Sequence, residues 1–273
     1  MPREDLYAPK MLGRALISDP KLTATKEFNV DCNRRDNYTP NGSLNKPFKS
    51  INAAIAMASG SLDEQTGVLI TLAPGHYHED VVINRSLSIR GADQSTTIVD
   101  SIEALGTMVT VDYVTISDIT LMYFGGESIQ HLEAHRVRSS GVGFSICTNV
   151  FLDSCYFDDD CLVVNSQVHI RNCQHTYGMF LGVASALVDW PEGVTDTEII
   201  LQNCYFIGEA DHTGIAADPH FLLIRFICCY SAKALLIGSD ITFENCCSVF
   251  TGGIDTITGT YTNYAGYPEE PET

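Results

Sequence analysis

Three groups of side chains in this 273-residue chain are of types and spacings that carry chemistry. Asp158, Asp159 and Asp160 place three carboxylates in a row, and Glu209, Asp211 and His212 form a second acidic group. A protonated and an ionised carboxyl on either side of a glycosidic bond act as acid and base, so paired Asp/Glu residues are what glycan hydrolysis requires. The third group surrounds the only tryptophan. An indole face stacks on a sugar ring while carboxylates accept its hydroxyls, which makes Trp190, Asp189, Glu192 and Asp218 candidate carbohydrate-binding residues. Each group also has a plainer reading. Three aspartates at a turn form a solvated corner or an incidental cation site, and Trp190 with Phe180 seals a loop onto the core. No HExxH, Gly-rich phosphate loop or GxSxG elbow occurs, so no metal centre and no cofactor is expected.

Composition narrows the setting. The chain has 34 acidic against 16 basic residues, a formal net charge of −18. That field repels phosphate backbones and anionic lipid, so neither nucleic acid nor membrane is an expected partner. Apolar residues make up 45% and charged residues 18%, the balance of a folded chain. The segment from Met1 to Thr25 lacks the apolar run of a secretory signal, and no apolar stretch is long enough to span a bilayer. The ten cysteines include no CxxC pair and are expected to be free thiols.

What must position the candidate groups is a repeat. The pattern apolar-x-apolar-x-x-apolar begins at Val114, Leu132, Val150, Val168, Ile199, Ile224 and Ile241. The first three intervals between these starts are identical, and the later ones vary. Within the pattern the alternation has period 2, so each unit reads as two short strands joined by a two-residue corner. The sixth position is Ile119, Val137, then Cys155, Cys173, Cys204, Cys229 and Cys246. Those cysteines are expected inside, as small apolar residues. Val150, Leu152, Val168, Ile170, Leu201, Phe226 and Phe243 should be buried with them. Asn172, Asn203 and Asn245 occupy the second corner position, where asparagine tolerates left-handed backbone. The longer intervals place insertions at 176–198 and 207–223, on one corner of the stack, and these carry the Trp190 and Glu209 groups. Asp160 and Glu209 fall at the same offset two rungs apart, roughly 9.6 Å at ~4.8 Å per rung, near the upper limit for an inverting pair.

The asparagine corner, the segment VLITLAPGHYHE at 68–79, LSIRG at 87–91 and the lead-in VDCNRRDNYTPNGSLNKPFKSINAAI at 30–55 resemble the pectin-lyase-like superfamily, as found in bacteriophage spike, fibre and decoration proteins. The resemblance implies an all-β, right-handed parallel β-helix. Its parts would be an N-terminal arm (1–28), a lead-in with a capping helix (29–66), the β-helix (67–266) and an acidic tail (267–273). It also implies a cleft along strands at 144–146, 162–164 and 235–237. Their outward residues, Ser145, Val163 and Leu236, neither bind calcium nor take a proton, which argues against a pectate-lyase mechanism.

The function this implies is structural. The chain would be a virion surface protein (capsid decoration, head fibre or tail spike), made in the host cytoplasm. Its arm would bind other virion proteins, the β-helix would project and touch host glycan, and the protein would form a homo-oligomer such as a trimer. The alternatives are a glycan depolymerase using the carboxylates of the two insertions and a non-catalytic carbohydrate-binding module.

Overall fold

The structure, a computed structural model, describes residues 26–61, 67–105, 111–145, 147, 149–158, 161–164, 168–175, 179–182, 197–202, 204–206, 215–216, 222–227, 230–231, 234–237, 240–244, 254–258 and 261–263. The strands in chain order begin with β1 (Lys26–Val30), β2 (Val68–Leu72), β3 (Gly75–Ile83), β4 (Leu87–Gly91), β5 (Thr97–Leu105), β6 (Val111–Glu127) and β7 (Ile129–Ser145). They continue with β8 (Asn149–Asp153), β9 (Tyr156–Phe157), β10 (Cys161–Val164), β11 (Val168–Arg171), β12 (Gln174–His175), β13 (Met179–Gly182), β14 (Thr197–Gln202) and β15 (Tyr205–Phe206). The last are β16 (Ile215–Ala216), β17 (Leu222–Ile227), β18 (Tyr230–Ser231), β19 (Ala234–Ile237), β20 (Asp240–Glu244), β21 (Ile254–Thr258) and β22 (Tyr261–Asn263), and the single described helix is α1 (Ile51–Ser61).

Strands pair in parallel, each with its counterpart in the next rung, which makes the molecule a parallel β-solenoid. One ladder runs β1–β2–β4–β6–β7–β8–β11–β14–β17–β20–β22. Its register aligns all seven repeat starts: Val114 with Leu132, Leu132 with Val150, Val150 with Val168, then Ile199, Ile224 and Ile241. The insertions therefore leave the ladder undisturbed. A second ladder passes through β3, β5, the middle of β6 and β7, and then β9, β12, β15 and β18.

The inward columns form one core. Ile116, Ala134, Val150, Leu152 and Ile170 are buried, as are Cys155, Cys173 and Cys204. Cys229 and Cys246 lie outside the described residues, as do the side chains of Val168, Leu201, Phe226 and Phe243. Each thiol donates to a backbone carbonyl of the preceding rung: Cys155 to Ala134, Cys173 to Leu152 and Cys204 to Ile170. Hydrogen bonding with Cys155, then burial, pushes the Cys173 thiol far up. All five cysteines whose side chains are described are free.

The corner column adopts left-handed backbone, with φ of 59° at Asp118, 51° at Arg136, 58° at Ser154 and 54° at Asn172. Asparagine fills only the last of these, and Asn203 and Asn245 lie outside the described residues. The position, set by the corner geometry, is what repeats, and the residue type varies over it.

Two features differ from expectation. Lys26–Val30 pairs with β2, and Phe28 and Val30 are buried, so the last residues of the expected arm form the first strand of the solenoid. The 18-residue period also breaks after Phe157. Phe157 pairs with Ser139 below and His175 above at the spacing of the repeat, but Val142 pairs with Cys161, one position later than that spacing gives. The additional residue enters between Phe157 and Cys161. Val163 consequently stands level with the inward Phe144, and Val164 with Ser145, so the expected outward column Ser145–Val163 does not exist.

Helix α1 closes the N-terminal end. Ile51, Ala54, Ile55 and Ala58, spaced i, i+3, i+4 and i+7, are buried against the first rungs. Ser50 Oγ accepts from the Ala53 amide, and the Glu79 carboxylate accepts from the amides of Ile51 and Asn52, so the helix start is capped from β3. At the other end Arg85 donates to the Ala58 carbonyl at 2.7 Å, a cation where the helix dipole is negative.

Candidate functional site

The described exterior carries three sets of side chains that can meet a ligand. The first is an open groove of about 320 Å³ across three consecutive rungs, lined by Glu103, Tyr123, Gly125, Glu127, Gly143 and Ser145 among others. Register creates it. Gly125 lies beside Gly143 on one side and Glu103 on the other, while Glu127 lies beside Ser145. Two glycines in adjacent rungs leave a strip without side chains, and the Tyr123 ring lies down over it. A Cβ at Gly143 would stand 2.7 Å from the Tyr123 hydroxyl, and one at Gly125 2.8 Å from its ring. Tyr123 remains 40% exposed, with Met122 beside it at 64%. Burial, and then the charge of Glu103, raise the Tyr123 phenol above its ordinary value. Beneath the strip Phe124 and Phe144 pack edge to face, which stiffens the floor. An aromatic face flanked by carboxylates stacks on a sugar ring and binds its hydroxyls.

The second set lies on the outer face of the first ladder. Glu133 receives a hydrogen bond from His131 at 3.0 Å, one from His135 at 3.4 Å and one from the Tyr113 hydroxyl at 3.0 Å. An ionised carboxylate only accepts, so both imidazoles present Nε2–H to it. These bonds, His131 first, hold the Glu133 carboxyl far below the usual range despite its half-burial. Tyr113 stacks on His131 at 4.8 Å, His131 leans on Phe151, and Phe151 stacks on His169. Asp153 is held by both nitrogens of an Arg171 fork and by Asn172, which lower its carboxyl. These are carboxylates kept ionised and fully engaged, a lacing between rungs. They are poor proton donors.

Of the residues singled out in the sequence, Asp158 is described. Arg138 takes both of its oxygens, at 2.9 and 3.2 Å, while the guanidinium lies over Tyr156. The remaining candidates, Asp159, Asp160, Asp189, Trp190, Glu192, Glu209, Asp211, His212 and Asp218, lie outside the described residues.

Sequence reasoning passed over the Tyr123 groove, the Glu133 cluster and a third group, His76 with His78 and Asp100. Strand spacing held a signal for two of them. His131, Glu133 and His135 alternate along one strand face, as do His76 and His78. The groove left none, because a pair of glycines in successive rungs acquires meaning only from register. No protein-family model matches this chain, and a search of curated proteins finds no match.

Proposed function

We propose that the protein is a non-enzymatic attachment component of a virion surface, a capsid decoration, head fibre or tail spike, that contacts carbohydrate along the Tyr123 groove. The observation that carries the carbohydrate contact is the Tyr123 ring laid over the Gly125–Gly143 strip between Glu103 and Glu127. The virion assignment draws on the resemblance of the lead-in and coils to the pectin-lyase-like proteins of phage particles. Engagement of Asp158 by Arg138 supports a binding role over a catalytic one. In this reading residues N-terminal to β1 dock to the particle, and the solenoid assembles about a symmetry axis, as a trimer for example.

One observation favours a hydrolase as the second reading. Glu103 and Glu127 stand on neighbouring rungs, offset by two positions along the strand. That is roughly 8 Å between their backbones, from ~4.8 Å across and ~3.3 Å per residue along, from which glutamate side chains can set their carboxyls at the roughly 6.5–9.5 Å that inversion uses. Two measurements decide between them. The protein should co-purify with intact particles and bind host surface polysaccharide, Y123A should lose that binding, and no reducing ends should appear. Release of reducing sugar that E103Q or E127Q abolishes would establish the hydrolase instead.

A further inference from the structure

β3 carries the tripeptide His76–Tyr77–His78, and alternation along a strand sends its two histidines to the same side. Tyr77 points inward. It is buried, and its hydroxyl donates toward the carbonyls of Val30 and Ala73 at 3.1 and 2.8 Å, which anchors the strand from inside. Outside, both imidazoles meet one carboxylate of the next rung. His76 Nε2 lies 2.7 Å from Asp100 Oδ1, and His78 Nδ1 lies 3.4 Å from Asp100 Oδ2.

Asp100 reaches this position through the register of β3 with β5: His76 pairs with Ile98 and Tyr77 with Val99, which brings Asp100 level with His78. The shift in register lies just beyond the pair, before Asp80 meets Ser101. The imidazole centroids are 3.8 Å apart, and one donor atom from each of the three residues lies within 4.8 Å of the others. A tetrahedral ion with bonds of about 2.0–2.2 Å requires donor atoms roughly 3.4 Å apart, so rotamer adjustments suffice. Among the described residues this is the one group of three ligating side chains whose donor atoms come together.

We propose that His76, His78 and Asp100 bind a divalent transition-metal ion of the zinc class. Two imidazoles and a carboxylate suit Zn²⁺, Ni²⁺ or Cu²⁺ better than Ca²⁺ or Mg²⁺, which take oxygen ligands. The exposure of the cluster, with the His78 side chain 73% accessible, leaves at least one coordination position for water or an incoming ligand. The ion ties β3 to β5 immediately beside Glu79, the residue that caps α1, and so reinforces the closed end of the solenoid. The proposal is independent of the carbohydrate reading.

The test is calorimetric titration of the full chain with Zn²⁺, alongside the unfolding temperature with and without the ion. The wild-type protein should bind one equivalent and unfold at a higher temperature with it. H78A and D100N should each bind more than about tenfold more weakly, since loss even of an outer-shell partner costs that much. H131A, which alters the other histidine cluster, should bind as the wild type does. A Co²⁺ spectrum without thiolate charge transfer excludes the cysteines as ligands. The proposal is overturned if the wild-type protein takes up no Zn²⁺, if H78A binds as tightly as wild type, or if Co²⁺ shows a thiolate band.

Discussion

Glu133 shows how an outer-face residue of a solenoid acquires a fixed charge. Its carboxylate accepts from residues of its own rung, His131 and His135, and of the rung before, Tyr113. The pH dependence follows from the direction of its shift. The folded-state pKa lies below the unfolded one, so its contribution is complete above the ordinary carboxylate value of about 4.3 and is lost as pH falls below it. Urea denaturation at a series of pH values should therefore show stability declining through that acid range. E133Q should cost about 1–3 kcal/mol at neutral pH, the range for a charge-assisted hydrogen bond in a half-buried site. It should also flatten the acid limb, and an unchanged acid limb would show that other carboxylates govern it.

At the scale of the element, the corner between paired strands is the recurrent unit. Asp118, Arg136, Ser154 and Asn172 share left-handed backbone at one fixed spacing, so the corner imposes its conformation on whatever residue arrives there. Ser154→Val should destabilise by about 1–2 kcal/mol, because a branched Cβ meets the following carbonyl in this conformation, whereas Ser154→Asn should be tolerated. In the rung before Asp118, Gly91 ends β4, and an added Cβ there would lie 2.1 Å from the Asp118 carbonyl oxygen. That contact is with backbone and cannot be relieved by a rotamer. Gly91→Ala should cost about 1–3 kcal/mol or more, read from the denaturation midpoint.

For the whole molecule, the N-terminal closure decides where the chain can be shortened. Phe28 and Val30 are core residues, Phe28 packs edge to face with Phe48, and β1 covers the edge of β2. A chain beginning at Lys26 should keep its β-rich circular dichroism and stay in solution, and under the proposed function it should lose association with particles. One beginning at Asp31 should expose the β2 edge and aggregate. Sedimentation separates the two outcomes and reports the oligomeric state of each. Full particle occupancy by the Lys26 chain would place the anchor in the solenoid itself.

The sequence carried the inward columns, because burial needs only apolar residues at period 2 within a strand and a fixed period between rungs. Val114, Leu132, Val150 and Val168 align from spacing alone, and pairing keeps that alignment through the two later insertions. A capping helix was expected within the lead-in, and Ile51–Ser61 is that helix, with Ile51, Ala54, Ile55 and Ala58 on its buried face. What needed the tertiary structure was everything that depends on which outward residues become neighbours. A single additional residue between Phe157 and Cys161 moved Val163 from the level of Ser145 to that of Phe144. The pairing of β3 with β5 brought Asp100 to His76 and His78, and two glycines became a groove only when stacked under Tyr123. Apolar residues select the interior through a free energy proportional to area, which any local pattern encodes. Polar contacts on the exterior depend on angstrom-scale register between segments a full rung apart in the chain, and that is settled only when the rungs stack.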